Sequence, residues 1–172
     1  QRNIDRRTAA LVSRTLVDAN DPGFTHPTKP IGRYLTEAET QPLIALGQHF
    51  VEVDERGWRR VVASPKPLDC LDAPGADRLM EAGFVVVCSG GGGIPTARDA
   101  AGALAGVEAV IDKDLTASLI AQQVHADVLV IATDVDSGIA DWGTENEKPI
   151  GDVTTQEVRV IAAEQGFAAG SM

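Results

Sequence analysis

The sequence predicts an α/β fold built on a mainly parallel sheet buried on both faces. Two observations carry this. Residues 84–88, 107–111 and 127–133 are short, continuous apolar runs, the signature of strands covered on both sides. Between and after them lie segments with helical spacing and capping signals. A third observation adds a small protruding lobe: prolines bracket residues 21–67, and a hairpin pattern sits inside that span.

In chain order, residues 8–18 fit helix or strand, and their Leu-Val pairs and threonines lean toward a strand of the core sheet, to which residues 1–20 are assigned. Residues 19–35 read as turns, because Pro22, Pro27 and Pro30 fix φ and remove backbone donors, which excludes a central strand. Thr36 and Glu39 form a capping box that opens a helix to about Gly47. Residues 50–54 and 58–62 read as a β-hairpin turning at Gly57. Residues 74–82 suit a helix ended by Gly83. Residues 113–125 form an amphipathic helix with Leu115, Leu119, Ile120 and Val124 on one face. A second capping box, Thr154 with Glu157, opens a helix to about Gln165. Residues 68–172 form the remaining α/β core.

The 172 residues allow one domain with a sizeable core and a small extra lobe, and exclude two full domains. Aromatic residues are only 4%, so Val, Leu, Ile and Ala must fill the interior. A net charge of −10 repels a phosphate backbone and argues against nucleic acid as a partner. Cys70 and Cys88 have no metal or disulfide spacing, and Cys88 reads as a buried, reduced thiol of a cytoplasmic protein. No apolar run approaches the roughly 20 residues of a membrane span, and no signal peptide is expected. The first residue is Gln1 rather than Met, which points to truncation or processing.

Four motifs carry candidate chemistry. Ser89-Gly-Gly-Gly-Gly-Ile-Pro95 follows an expected strand, and Gly90, Gly91, Gly92 and Gly93 have no Cβ to keep an anion from their N–H groups. It reads as a phosphate or carboxylate cradle, or as a flexible loop without a ligand. It is neither a Walker A motif nor a dinucleotide fingerprint. In Asp112-Lys113-Asp114, a lysine at a helix N-terminus opposes the macrodipole unless an anion or Asp114 balances it. The alternative is a solvated cluster with Asp112 as N-cap. Thr133-Asp-Val-Asp136 leaves a strand and could touch a ribose or a metal, or simply turn the chain. Lys29 stands on a proline-stiffened loop, either aimed at developing charge or exposed as lysines usually are; Lys66 has the same two readings. The histidines show no ligand spacing, and no residue of the chain is expected to bind a metal directly.

These motifs, together with Asn20-Asp-Pro, Pro27-Thr-Lys-Pro-Ile-Gly32, Arg56-Gly-Trp-Arg-Arg-Val-Val62, Ser64-Pro-Lys-Pro67 and Phe167-Ala-Ala-Gly-Ser-Met172, closely resemble carbamate kinases over nearly the whole chain. The resemblance implies a three-layer α/β/α sandwich of the amino-acid-kinase fold, a homodimer, and a lobe over the site matching residues 21–67. It implies transfer between ATP and carbamate to give ADP and carbamoyl phosphate, with Mg²⁺, as in arginine fermentation. By position, Lys113 resembles the lysine on the transferring phosphoryl group and the nucleotide, Asp114 the carboxylate that organises the lysines, and Lys29 the lobe lysine. Ser89 and Gly90 to Gly93 resemble the substrate cradle. Thr133, Asp134, Gly170, Ser171 and Met172 resemble nucleotide-side positions.

The family's Gly-Gly-Asn turn, His-Gly-Asn-Gly-Pro turn and final Gly-Pro-Lys are absent from these residues. After Asp136 the chain reads Ser-Gly-Ile rather than Gly-Val-Tyr. The expectation is therefore a piece of the enzyme, truncated at both ends, inactive alone and prone to associate through unpaired strand edges. Competing readings are a sister kinase for acetylglutamate, aspartate or UMP, a non-catalytic carbamoyl-phosphate or nucleotide module, and, weakly, an NAD-dependent oxidoreductase.

Overall fold

The computed structural model describes residues 6–133 and 135–164. The chain divides into two compact units, Gln1–Leu129 and Val130–Met172. The first unit contains, in order, β1 (Thr8–Ala10), β2 (Arg14–Val17), β3 (Lys29–Leu35), α1 (Glu37–Ile44), β4 (His49–Glu52), β5 (Trp58–Val62), β6 (Pro67–Cys70), α2 (Ala73–Glu81), β7 (Val85–Val87), β8 (Ile94–Arg98), β9 (Leu104–Gly106) and α3 (Lys113–Gln123). The second contains β10 (Ile139–Ala140), β11 (Lys148–Pro149) and α4 (Thr155–Glu164), with β10 and β11 antiparallel. No helix among the described residues is long and apolar enough to cross a membrane.

The core strands are parallel where the site will lie and antiparallel around it. β1 pairs with β7 in parallel, from Thr8↔Val85 to Ala10↔Val87. β2 then pairs with β8 in parallel, from Arg14↔Ile94 to Leu16↔Thr96. β6 and β9 add antiparallel neighbours, giving the order β6-β2-β8-β9. Both partners change strand together: Leu11 N–H still donates to the Val87 carbonyl, but the Ser13 carbonyl already accepts from Ile94 N–H. The glycine run is thus a strand-to-strand link between β7 and β8, where the sequence left a loop without a following strand. Pro95 is tolerated inside β8 because its carbonyl still accepts from Val107 N–H at 3.1 Å, and only the missing donor is lost.

A separate antiparallel sheet, β3-β5-β4, is formed by residues 29–62. Residues 29–35 were expected to be turn, yet they form β3. Pro30 is accommodated because β3 is an edge strand. The expected hairpin is β4 and β5, paired from His49↔Val61 to Glu52↔Trp58. The Thr36–Glu39 capping box is complete in both directions. α2 ends with Gly83 and Phe84 N–H groups donating to the Met80 and Leu79 carbonyls, the bond pattern of a glycine-terminated helix.

Two expected strands are corrected. Residues 107–111 alternate in burial as a strand would, but their donors go to different neighbours: Val107 N–H to Pro95 and Val110 N–H to Ala63. They cross from one sheet to the other instead of joining a ladder. Residues 127–133 carry no strand, and Val128, Leu129 and Val130 are 73%, 44% and 80% exposed. Both edges of β2 and of β8 are already taken, so the central positions of that sheet cannot receive this run. Leu115, expected on the buried face of α3, is half exposed, and Thr116 is the residue that faces inward. The core cluster is Val17, Ala97 and Ile111, with Phe24 and Val107 against it.

Gly57 turns the β4–β5 connection at φ +104°, and a Cβ there would lie 2.7 Å from the Leu35 carbonyl oxygen. Gly102 also has positive φ, but open space surrounds it. Gly102→Ala is expected to cost about 1 kcal/mol from backbone strain alone. Gly57→Ala should cost roughly 2–3 kcal/mol, since strain and collision add. Urea denaturation of both variants checks the order; equal losses would remove the steric account.

Candidate active site

The glycine run is held from below by polar side chains of β2 and its approach. Ser13, 2% exposed, places its Oγ 2.9 Å from the Ser89 N–H, which donates to it, and 3.0 Å from Cys88 Sγ. Cys88 is half-buried rather than buried as expected; Cys70 is the fully buried thiol. The Gly92 carbonyl accepts from two hydroxyls, Thr15 Oγ1 at 2.8 Å and Thr116 Oγ1 at 3.1 Å. Both threonines are fully buried. A Cβ on Gly92 would overlap the Ile111 carbonyl, and one on Gly93 would overlap Thr15 Oγ1. These two glycines are therefore required by close packing of the protein on itself.

Gly90 and Gly91 differ, because nothing crowds a Cβ at either. The Gly90 N–H is already donated to the Cys88 carbonyl at 2.8 Å. An anion would therefore not find all four glycine donors free. Ser89 has a left-handed backbone, φ +66°, and its Oγ is buried without a hydrogen-bond partner among the described residues. A buried hydroxyl without a partner is costly, and a ligand oxygen would satisfy it.

Ile111 leads directly into the start of α3, where the charged groups gather. Asp112 caps the helix, its Oδ1 accepting from Asp114 and Leu115 N–H at 2.9 and 3.2 Å. Its Oδ2 accepts from Lys29 Nζ at 2.6 Å, a contact between positions 83 residues apart. Burial alone would raise the Asp112 carboxyl. The Lys29 hydrogen bond, the two backbone donors and the Lys29 charge outweigh burial and hold it below the ordinary carboxylate range. Lys113 Nζ donates to Asp114 Oδ2 at 2.9 Å, and that bond and charge raise the lysine above its ordinary value. Asp114 thereby offsets the unfavourable placement of Lys113 at a helix N-terminus. The Lys113 side chain remains 71% exposed, whereas Lys29 is 33% exposed.

Beside the first turn of α3 lies a hollow of about 450 Å³ lined by Asp21, His26, Thr28, Ser64, Lys66 and Leu115. Asp21 shapes it, accepting from Gly23 N–H with one oxygen and from Lys66 N–H with the other. Lys66 and Leu115 thus line the same hollow.

Lys29, Lys113, Asp114 and Gly92 come together around the start of α3. Thr133 lies in the other unit, and Asp134, Gly170, Ser171 and Met172 lie outside the described residues. Sequence reasoning missed Asp112 as more than a cap, and missed Ser13, Thr15 and Thr116 entirely. Ser13, Thr15 and Val17 stand at alternate positions and so share one face, but Arg14 between the two hydroxyls hid which face is inward. Among the described residues no group of three or more His, Cys, Asp or Glu is arranged to hold a metal.

Gly92→Ala is expected to destabilise the chain by roughly 2–4 kcal/mol, because the Ile111 backbone must move and both threonine bonds loosen. Gly91→Ala, with open space, should change stability by no more than about 0.5 kcal/mol. Urea denaturation of the pair decides the matter. Acid should destabilise as well. Asp112 and Asp72, ordinarily at 3.8, and Glu39 and Glu157, ordinarily at 4.5, are all lowered in the folded chain. Their contribution is complete above those ordinary values and is lost as pH falls through the lowered ones, where the unfolded chain binds more protons. The urea midpoint should stay level from pH 7 to about 5 and fall below about 4; a midpoint that rises on acidification contradicts the assignment.

A profile of the amino acid kinase family matches residues 31–172. The carbamate kinase of Thermococcus kodakarensis is 42% identical over all of this chain and 55% of its own length. A carbamate kinase-like protein of Escherichia coli is 43% identical over 99% of this chain and 55% of its own length. A carbamate kinase from Giardia lamblia bound to AMP-PNP superposes with a TM-score of 0.82 at 38% identity, over 99% of this chain and 54% of that one. The chain spans about half the length of the relatives it matches. With the α/β fold of those structures and a family match over most of its length, the chain belongs to the amino acid kinase family.

Proposed function

We propose that this chain carries the phosphoryl-binding face of a carbamate kinase, which interconverts ATP and carbamate with ADP and carbamoyl phosphate. The observation that carries the reading is the convergence of Lys29 and Lys113, each bonded to an aspartate, on the helix start beside the Gly92 loop. Phosphoryl transfer asks mainly for positioning and charge stabilisation, with little covalent work from the protein. Lys113, exposed but tethered by Asp114, is suited to follow the phosphoryl group, and Lys29 to meet its equatorial oxygens. Ser89 and the loop at 90–93 serve the carbamate or carbamoyl phosphate end. Thr133, Asp134, Gly170, Ser171 and Met172 serve the nucleotide, and residues 21–67 act as a substrate-side lobe.

Mg²⁺ would neutralise charge on the nucleotide phosphates. Asp112 and Asp114 are already committed to lysines, so the phosphates, rather than these carboxylates, are its ligands in this reading. A cytoplasmic homodimer completes it. The E. coli relative's name leaves a sister acceptor open, which an acceptor screen with acetylglutamate, aspartate and UMP separates.

The test is ATP formation from MgADP and carbamoyl phosphate by this chain and by the open reading frame that encodes it. Turnover is expected in the latter and not in the 172 residues alone. In the active form, Lys113→Ala should lower kcat by about 10²–10³-fold, the scale of losing one preorganised donor. Near-normal turnover would remove Lys113 from the transition state.

A further inference from the structure

We infer that Asp112 is a positioning residue, which fixes the ammonium of Lys29 at the start of α3 through a carboxylate that cannot itself rotate. Each oxygen of this carboxylate has its own task. Oδ1 accepts the Asp114 and Leu115 N–H groups, and Oδ2 accepts Lys29 Nζ. Rotation toward one task would break the other, so the cap sets the plane in which the lysine is held. One of the three Lys29 donors is used, and two remain for an oxyanion.

The backbone reinforces the same alignment. Lys29 stands opposite Val62 in the β3–β5 ladder, and the next residue, Ala63, accepts Val110 N–H at 2.9 Å. The end of the small sheet is therefore tied twice to neighbouring positions, by main chain to Val110 and by side chain to Asp112. A main-chain tie alone would leave four rotatable side-chain bonds of Lys29 free; the carboxylate removes that freedom. Capping does not require the charge, because asparagine caps a helix as well as aspartate does. The negative oxygen on the Lys29 side is an addition to the cap.

The Lys113–Asp114 pair provides a contrast within the same turn. That lysine is 71% exposed and bonded to its own chain neighbour, so it is held to a region and not to a point. Lys66 provides a second contrast, since its ammonium has no ion pair among the described residues.

Amine labelling of the chain by an acetylating reagent, read residue by residue in a mass spectrometer, tests this without reference to catalysis. Lys29 should label more slowly than Lys66. In Asp112→Asn, which keeps the cap and replaces the facing oxygen by a donor or leaves it uncharged, Lys29 labelling should rise by about threefold, the scale of a partly buried ion pair. Lys66 labelling should stay as it was, and the melting temperature should fall only slightly, as the loss of one partly exposed ion pair requires. Should Asp112→Asn not fold, Asp112→Ser is read in the same way, because serine caps but is too short to reach Lys29. Unchanged Lys29 labelling in a folded variant overturns the inference. A second arm rests on the phosphotransferase reading: in the encoding reading frame, Asp112→Asn should lower kcat on the order of tenfold with the KM for ADP unchanged, and Asp112→Glu should recover part of it. A wild type without turnover counts against that reading alone, since labelling still decides whether Asp112 holds Lys29.

Discussion

The peptide carbonyl of Gly92 receives two hydroxyl groups, one from β2 and one from α3, and most of the site follows from that meeting. Thr15 and Thr116 have no access to water, so each needs a protein acceptor. Thr15 finds it on the Gly92 oxygen, and Thr116 stands between that oxygen at 3.1 Å and the Asp112 carbonyl at 3.0 Å. The bond fixes how the loop enters β8, how far α3 approaches β2, and where Ile111 can run. Glycine at 92 allows the Ile111 backbone to lie where a side chain would otherwise stand. The residue after Ile111 is Asp112, so a constraint made in the interior sets the position of the carboxylate that meets Lys29.

The apolar interior of the first unit is modest. Its cluster of Val17, Ala97 and Ile111 supplies burial but little directional information. Buried polar residues supply that information: Ser13, Thr15, Thr96 and Thr116 lie on the segments that also carry the cluster. A valine can slide against another valine at small cost, whereas a buried hydroxyl is satisfied in one register only. The exchange of partners at residues 11–13 shows the effect. Ser13 accepts from Ser89 with its side chain and from Ile94 with its carbonyl, bridging both ends of the glycine loop.

Local chemistry was legible in the sequence wherever a few neighbouring residues decide the outcome. The capping boxes at Thr36 and Thr154, the hairpin at Gly57, and the end of α2 at Gly83 each depend on residues within a turn of one another. The motif around Lys113 was legible because charge at a helix start has few explanations. Strand membership was less legible, since it depends on partners far along the chain. Residues 107–111 have a strand's composition and a strand's alternation, but their donors are claimed by two sheets. β3 was hidden by Pro30, whose missing donor matters only if the strand has neighbours on both sides. Asp112 read as an ordinary cap because its second partner lies 83 residues away, on a strand the prolines concealed.

In the proposed phosphoryl transfer, the two lysines at the start of α3 would divide the electrostatic work by how they are held. A fixed charge stabilises developing negative charge without reorganising at the moment of transfer, which is where preorganised sites gain most over water. Lys29 meets that requirement, with a tether from another part of the chain and a main-chain bond two residues from its aspartate. Lys113 meets a different one. An exposed ammonium on its own neighbour's carboxylate can move with a migrating group at the cost of one weak, solvent-screened bond. A reaction whose phosphorus travels between two oxygens is served by one charge that stays and one that follows. In each pair an aspartate balances the lysine, which offsets the cost of a cation at the positive end of a helix.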